Sequence, residues 1–153
     1  MKRKLLTLFA AAALCVGSLA VGVSAADEAD TPEVPEDAIV INDADELAEA
    51  IRDQEDGQYW LIKAGDYNLG EEQLAVYADK NCGGQTNWYF PIDASITIVG
   101  EGNPTITSNV EIANGSWNTQ DFITVWADDV AIEGIQIKSK KAVNKAIEVM
   151  GQD

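Results

Sequence analysis

Three groups of side chains in this sequence could do chemistry, and each also has a plainer explanation. Asp128, Asp129 and Glu133 stand within six positions of one another. Carboxylate oxygens at that density suit a hard cation such as Ca2+, and they are the candidate metal ligands. A metal centre needs several convergent ligands, however, and an Asp pair commonly caps its own backbone in a turn. The turn is the preferred reading. Lys138, Lys140, Lys141 and Lys145 put four cations into eight positions of a strongly acidic chain. They offer a seat for uronate or sulfate groups, or a source of a base, against the alternative of a solvated turn. Trp88 and Tyr89, followed by Phe90, are the third group. Aromatic faces stack on sugar rings, and Trp117 and Trp126 could join such a platform. Large aromatic side chains are mostly buried, so packing under a loop is preferred to a carbohydrate surface.

The absence of histidine removes Ser-His-Asp and Cys-His catalysis and His-rich zinc sites. "GEGNP" and "CGGQT" lack the spacing of a phosphate-binding loop and read as turns. The opening stretch "MKRKLLTLFAAAALCVGSLAVGVSAADEAD" has a basic start, an apolar run and small residues at Val23, Ser24 and Ala25. That layout is a secretory signal peptide cleaved after Ala25. Lipidation at Cys15 is disfavoured by Leu14 before it, and a retained anchor by the shortness of the run and the Pro and acids that follow. Without Lys2, Arg3 and Lys4, seven basic residues face 26 acidic ones, a formal charge of −19. Such a surface repels nucleic acid and anionic lipid. The expected locality is secreted, extracellular or at the cell surface, with no membrane insertion after cleavage. Only Cys82 remains, so no internal disulfide can form, and without histidine nearby its thiol is expected to be inert.

The elements that must position these groups follow. Residues 26–37 carry six acids and two prolines and read as a disordered acidic linker. "AIVI" is a short strand. In "NDADELAEAIRDQEDG", Ala44, Leu47, Ala48 and Ile51 recur at helical spacing behind Asp43 as N-cap, with Glu46 three residues on and Gly57 closing the segment. Arg52 lies on this helix and reads as structural. "QYWLIKAGDYNL" is a strand ending at Gly65. No later helix is expected. In "ITVWADDVAIEGIQI" the pairs Ile123/Val125, Val130/Ile132 and Ile135/Ile137 each alternate, but each jump between them changes parity. One strand cannot keep all six on one side, whereas three short strands bent round a common interior can. The motif restarts at Ile147, 24 residues after Ile123, and "SITIVG" aligns with "VAIEGI" at a spacing of 34 that superposes Gly100 on Gly134. Periods in this range belong to stacked-coil architectures.

On "DADELAEAI" with "YWLIKAGDY", on "ITIVGEGNPTI" and on "ITVWADDVAIEGIQI", the chain resembles the N-terminal portion of a right-handed parallel β-helix of the pectate-lyase-like superfamily. The resemblance implies an all-β solenoid over residues 38–153 with one short N-terminal capping α-helix, truncated at its C-terminus, from an exported bacterial protein. It implies an extracellular scaffold or carbohydrate-associated module with no complete active site in this chain. The alternative is the N-terminal part of a polysaccharide lyase or glycoside hydrolase acting on acidic polysaccharide. A lyase would need a base and a cation, often Ca2+, beside the uronate, yet the arginine base of the pectate lyases has no counterpart here. The partners implied are polysaccharide and, at the C-terminal edge, a further β-helix segment or a second chain. A complete small protein of this kind would purify as a defined oligomer.

Overall fold

The computed structural model describes residues 33–110, 121–140 and 143–150. The expected signal peptide, most of the expected acidic linker, Trp117 and Lys141 lie outside them. The described end of the linker, residues 33–37, is exposed and has no strand or helix. Ten strands and two helices follow among the described residues: β1 (Ile39–Ile41), α1 (Ala44–Arg52), β2 (Tyr59–Ile62), β3 (Asp66–Asn68), α2 (Glu71–Val76), β4 (Phe90–Ile92), β5 (Thr97–Gly100), β6 (Thr105–Ser108), β7 (Ile123–Val125), β8 (Ala131–Glu133), β9 (Gln136–Ser139) and β10 (Ile147–Val149).

The strands form three wholly parallel sheets, ordered β1-β2-β5-β8, β3-β6-β9 and β4-β7-β10. After α1 the chain visits the sheets in a fixed order, so β2-β3-β4, β5-β6-β7 and β8-β9-β10 make three successive tiers. Both spacings read from the sequence are the observed registers. Ile147 pairs with Ile123, and Thr97, Ile98 and Val99 pair with Ala131, Ile132 and Glu133. The three apolar pairs that change parity fall in or beside β7, β8 and β9, one in each sheet. The molecule is mostly parallel β-structure.

Gly100 and Gly134 show why the 34-residue spacing carries glycine at both ends. A Cβ on Gly100 would sit 2.3 Å from the Gly134 carbonyl oxygen, and one on Gly134 would lie 2.6 Å from the Gly100 oxygen. Gly134 also holds a φ of 67°, where a side chain strains the backbone. Only bare backbone fits where β5 and β8 leave their sheet.

Inward-facing residues of all three sheets, among them Trp60, Ile62, Tyr67, Phe90, Ile98, Ile106 and Ile123, form one apolar cluster. Trp60 and Phe90 stack with ring centroids 6.5 Å apart. Helix α1 adds Leu47, Ala48 and Ile51, each fully buried, and burial of a Leu or Ile side chain is worth about 1.5–3 kcal/mol. Its start is fixed by Asp43, whose Oδ1 accepts from the Asp45 and Glu46 amides at 3.0 and 2.9 Å. Glu46 reaches one residue further back than a capping box predicts, accepting from the Asn42 amide at 2.7 Å.

Two elements depart from the expectation. "QYWLIKAGDYNL" is two strands, β2 and β3, that belong to different sheets. Helix α2 was not expected at all, because none of its six residues is fully buried and only Leu74 and Val76 rest, half-buried, against the core. Gln73 positions it instead: its Oε1 accepts from the Gly70 amide at 3.1 Å, while its Nε2 donates to Asp45 of α1 at 2.7 Å.

Candidate functional site

Asp128, Asp129 and Glu133 are exposed, the two aspartates at the corner between β7 and β8 and Glu133 at the far end of β8. Asp129 has a φ of 52°, the left-handed conformation that Asp and Asn adopt in turns. Among the described residues, no group of three or more Cys, Asp or Glu side chains is placed to hold a metal ion. The two aspartates also line a hollow of about 410 Å3 with Val125, Val130, Ile132 and Val149. Its wall is largely apolar.

The lysine group divides. Lys138 and Lys140 are exposed at β9 and its end, two residues apart and therefore on one side of the strand. Lys145 turns elsewhere and forms an ion pair with Glu148 of β10, which raises the affinity of its ammonium for the proton.

The aromatic group is consumed by packing. Trp88 and Tyr89 are 1% and 2% exposed. Trp88 meets Trp126 edge to face at 5.8 Å, and its Nε1 donates to the Gln85 carbonyl at 3.0 Å. Tyr89 stacks on Phe122 with centroids 5.8 Å apart and planes within 6°, and its hydroxyl donates to the Val110 carbonyl at 2.8 Å. The ring of Trp126 lies across Gly83, where a Cβ would come within 2.2 Å of it. No ring face of Trp88 or Tyr89 is left for a sugar to stack on. Cys82 is buried, and burial, followed by the nearby Asp93 carboxylate, pushes its thiol up to about 12. Asp93 is itself engaged with Lys80 at 2.8 Å.

The most unusual group in the molecule is one that the sequence did not single out. Asp121, at the entrance to β7, is 1% exposed and lies within hydrogen-bonding reach of Glu148 on β10. Burial in the first place, and then Glu148, lift the Asp121 carboxyl to about 6. The same contact, with Lys145 next, holds Glu148 below its ordinary value. The opposite directions belong to the pair, because two enclosed carboxyl groups in contact disfavour each other's ionisation. Neither Asp121 oxygen nor Glu148 Oε2 makes a full hydrogen bond, and the buried Thr124 hydroxyl beside them is unpartnered too, while the Lys145 ammonium and backbone amide favour the ionised form of Asp121. A proton on one of the two carboxyl groups would supply a donor to the other. Thr124 and Glu148 are register partners, so their side chains lie side by side on one face of the sheet.

The pair escapes sequence reading because Asp121 precedes its strand and Glu148 sits 27 positions later. The signal available was Glu148 itself, the outward position between Ile147 and Val149, aligned by the 24-residue repeat with Thr124. Comparison with protein-family models, with curated proteins and with solved structures returned no match to this chain.

Proposed function

We propose that this chain is an exported scaffold module: a right-handed parallel β-helix of the pectate-lyase-like kind, sealed at one end by α1 and receptive at the other. The observation that carries the reading is that α1 covers the core at one end, where Ile39 and Val40 of β1 still stand 36% and 45% exposed, while no described helix covers the other. Leu47, Ala48 and Ile51 of α1 are fully buried over the core. In the tier opposite, β8, β9 and β10 each have a single neighbour among the described strands, and Ile147 and Val149 are 46% and 70% exposed. Unpaired strand edges with apolar side chains are templates for another strand. The occupant that fits is a further tier of parallel strands, from a β-helix segment or a second copy, which would also fill the hollow beside Val149. A role in contacting acidic polysaccharide rests on Lys138 and Lys140, since Trp88 and Tyr89 are enclosed.

The test uses a second copy as the probe. Sedimentation velocity of the exported chain at rising concentration, in salt high enough to screen its negative charge, should reveal association. The Val149→Lys variant, with an unchanged far-ultraviolet spectrum, should remain monomeric. A wild-type chain that is monomeric at every concentration, or association unaffected by the substitution, overturns the reading.

A further inference from the structure

We propose that Asp121 and Glu148 share a single proton between neighbouring tiers, and that this proton, backed by Lys145, is an acid-favoured clasp holding β10 on β7. The inference concerns that pairing alone and stands whether or not the edge beyond β10 takes a partner.

Geometry comes first. Asp121 is 1% exposed, and the Glu148 side chain is 11% exposed. Both Asp121 oxygens and Glu148 Oε2 are buried without a full hydrogen bond, and the Lys145 ammonium and backbone amide are the groups that favour an ionised Asp121. Two ionised carboxylates in such a place repel each other and forfeit their hydration. Among the described residues, the charged groups acting on Asp121 are Glu148 of β10 and Lys145 in the turn before it. With one proton on Asp121, the trio of neutral acid, carboxylate and ammonium sums to zero. Without that proton it carries a buried excess negative charge.

The trio sits where it can govern β10. Around it the backbone closes with Phe122 donating to the Lys145 carbonyl at 3.0 Å, Ile123 to Ala146 at 3.0 Å and Met150 to Val125 at 2.7 Å. Three residues of β10 pair with β7, so a side-chain link weighs heavily in so short a ladder. Asp121 is too enclosed to serve as a catalytic acid for a bulky substrate, which leaves its proton a structural part.

The signs follow by linkage. The Asp121 carboxyl is raised to about 6, so its contribution is complete below the ordinary aspartate range and is lost as pH climbs through about 6. Glu148 is lowered, so its contribution is present above the ordinary glutamate value and is lost as pH falls through its own. The two act together between the ordinary carboxylate range and about pH 6.

The experiment is urea unfolding of the full exported chain across pH, alongside a carbon-13 titration of its carboxyl groups. For Asp121 alone, the folded-to-unfolded ratio should fall about tenfold between roughly pH 5 and pH 8. Asp121→Asn, whose amide donates to Glu148 without ionising, should remove that slope. An equal slope in Asp121→Asn overturns the proposal. Full recovery of the wild-type chain at alkaline pH by added Ca2+ also overturns it, because a cation and not a proton would then be the natural occupant. If Asp121→Asn does not fold, the titration of the wild-type chain decides. An Asp121 midpoint near 6 supports the clasp, and one in the ordinary aspartate range refutes it.

Discussion

Gly100→Ala is a sharp test of how β5 and β8 stack. The added methyl would lie 2.3 Å from the Gly134 carbonyl oxygen, 2.8 Å from its carbonyl carbon and 2.8 Å from the Pro104 ring. Two of those neighbours are backbone, so no rotamer change relieves the contact. Gly100 is not among the glycines with positive φ, so its cost is purely one of space, about 1–3 kcal/mol for an overpacked interior and more where the backbone cannot shift. Gly84→Ala supplies the opposite control, with a φ of 80° and nothing within 4 Å of the new methyl. It should cost only the left-handed strain of about 1–2 kcal/mol. Gly134→Ala combines both terms and should be the worst, at about 2–5 kcal/mol. The assay is equilibrium urea unfolding followed by circular dichroism, reading the midpoint at constant slope. The double substitution at 100 and 134 should cost less than the sum, because both methyls invade one contact. A Gly100→Ala chain within about 0.5 kcal/mol of wild type, the range of an inconsequential surface change, would refute the 34-residue register between β5 and β8.

Two further outcomes concern local features. Asp43→Ala should cost about 1 kcal/mol, because the Asp45 and Glu46 amides both lose their acceptor, and Asp43→Asn should recover most of it in the same urea titration. Cys82, its thiol pushed up to about 12 by burial, should resist a disulfide reagent at mildly alkaline pH in the native chain and react fully once unfolded, a difference read by thiol absorbance.

Legibility in the sequence followed the physics of each element. Helix α1 was readable because Leu47, Ala48 and Ile51 must share one face and Asp43 must cap it. The tiers were readable because Gly100 and Gly134 are required at the same corner, and because Ile123 and Ile147 repeat one alternation. Helix α2 was not, since only Leu74 and Val76 of Glu71–Val76 touch the core, half-buried, and the helix is held by Gln73, a contact with no periodic signature. The β2–β3 break was half legible: Gly65 marked an end, but nothing indicated that Asp66 would reopen in a different sheet. As for sites, the groups conspicuous by composition, Trp88 with Tyr89 and Asp128 with Asp129, are respectively enclosed in packing and placed at a turn. The carboxyl pair of Asp121 and Glu148 arises from a register, which a linear pattern carries only indirectly.

The parallel registers have a consequence for how the chain reaches this structure. Every strand pairing closes a stretch of only 21 to 39 residues, from Ile39 with Trp60 to Asp66 with Thr105. Each tier therefore needs only the preceding one as its template, and loop-closure entropy is met in similar small instalments rather than in one long-range step. With α1 and β2 available early in synthesis, assembly can run from the helix-covered end outward, in the direction in which a polypeptide emerges from the ribosome.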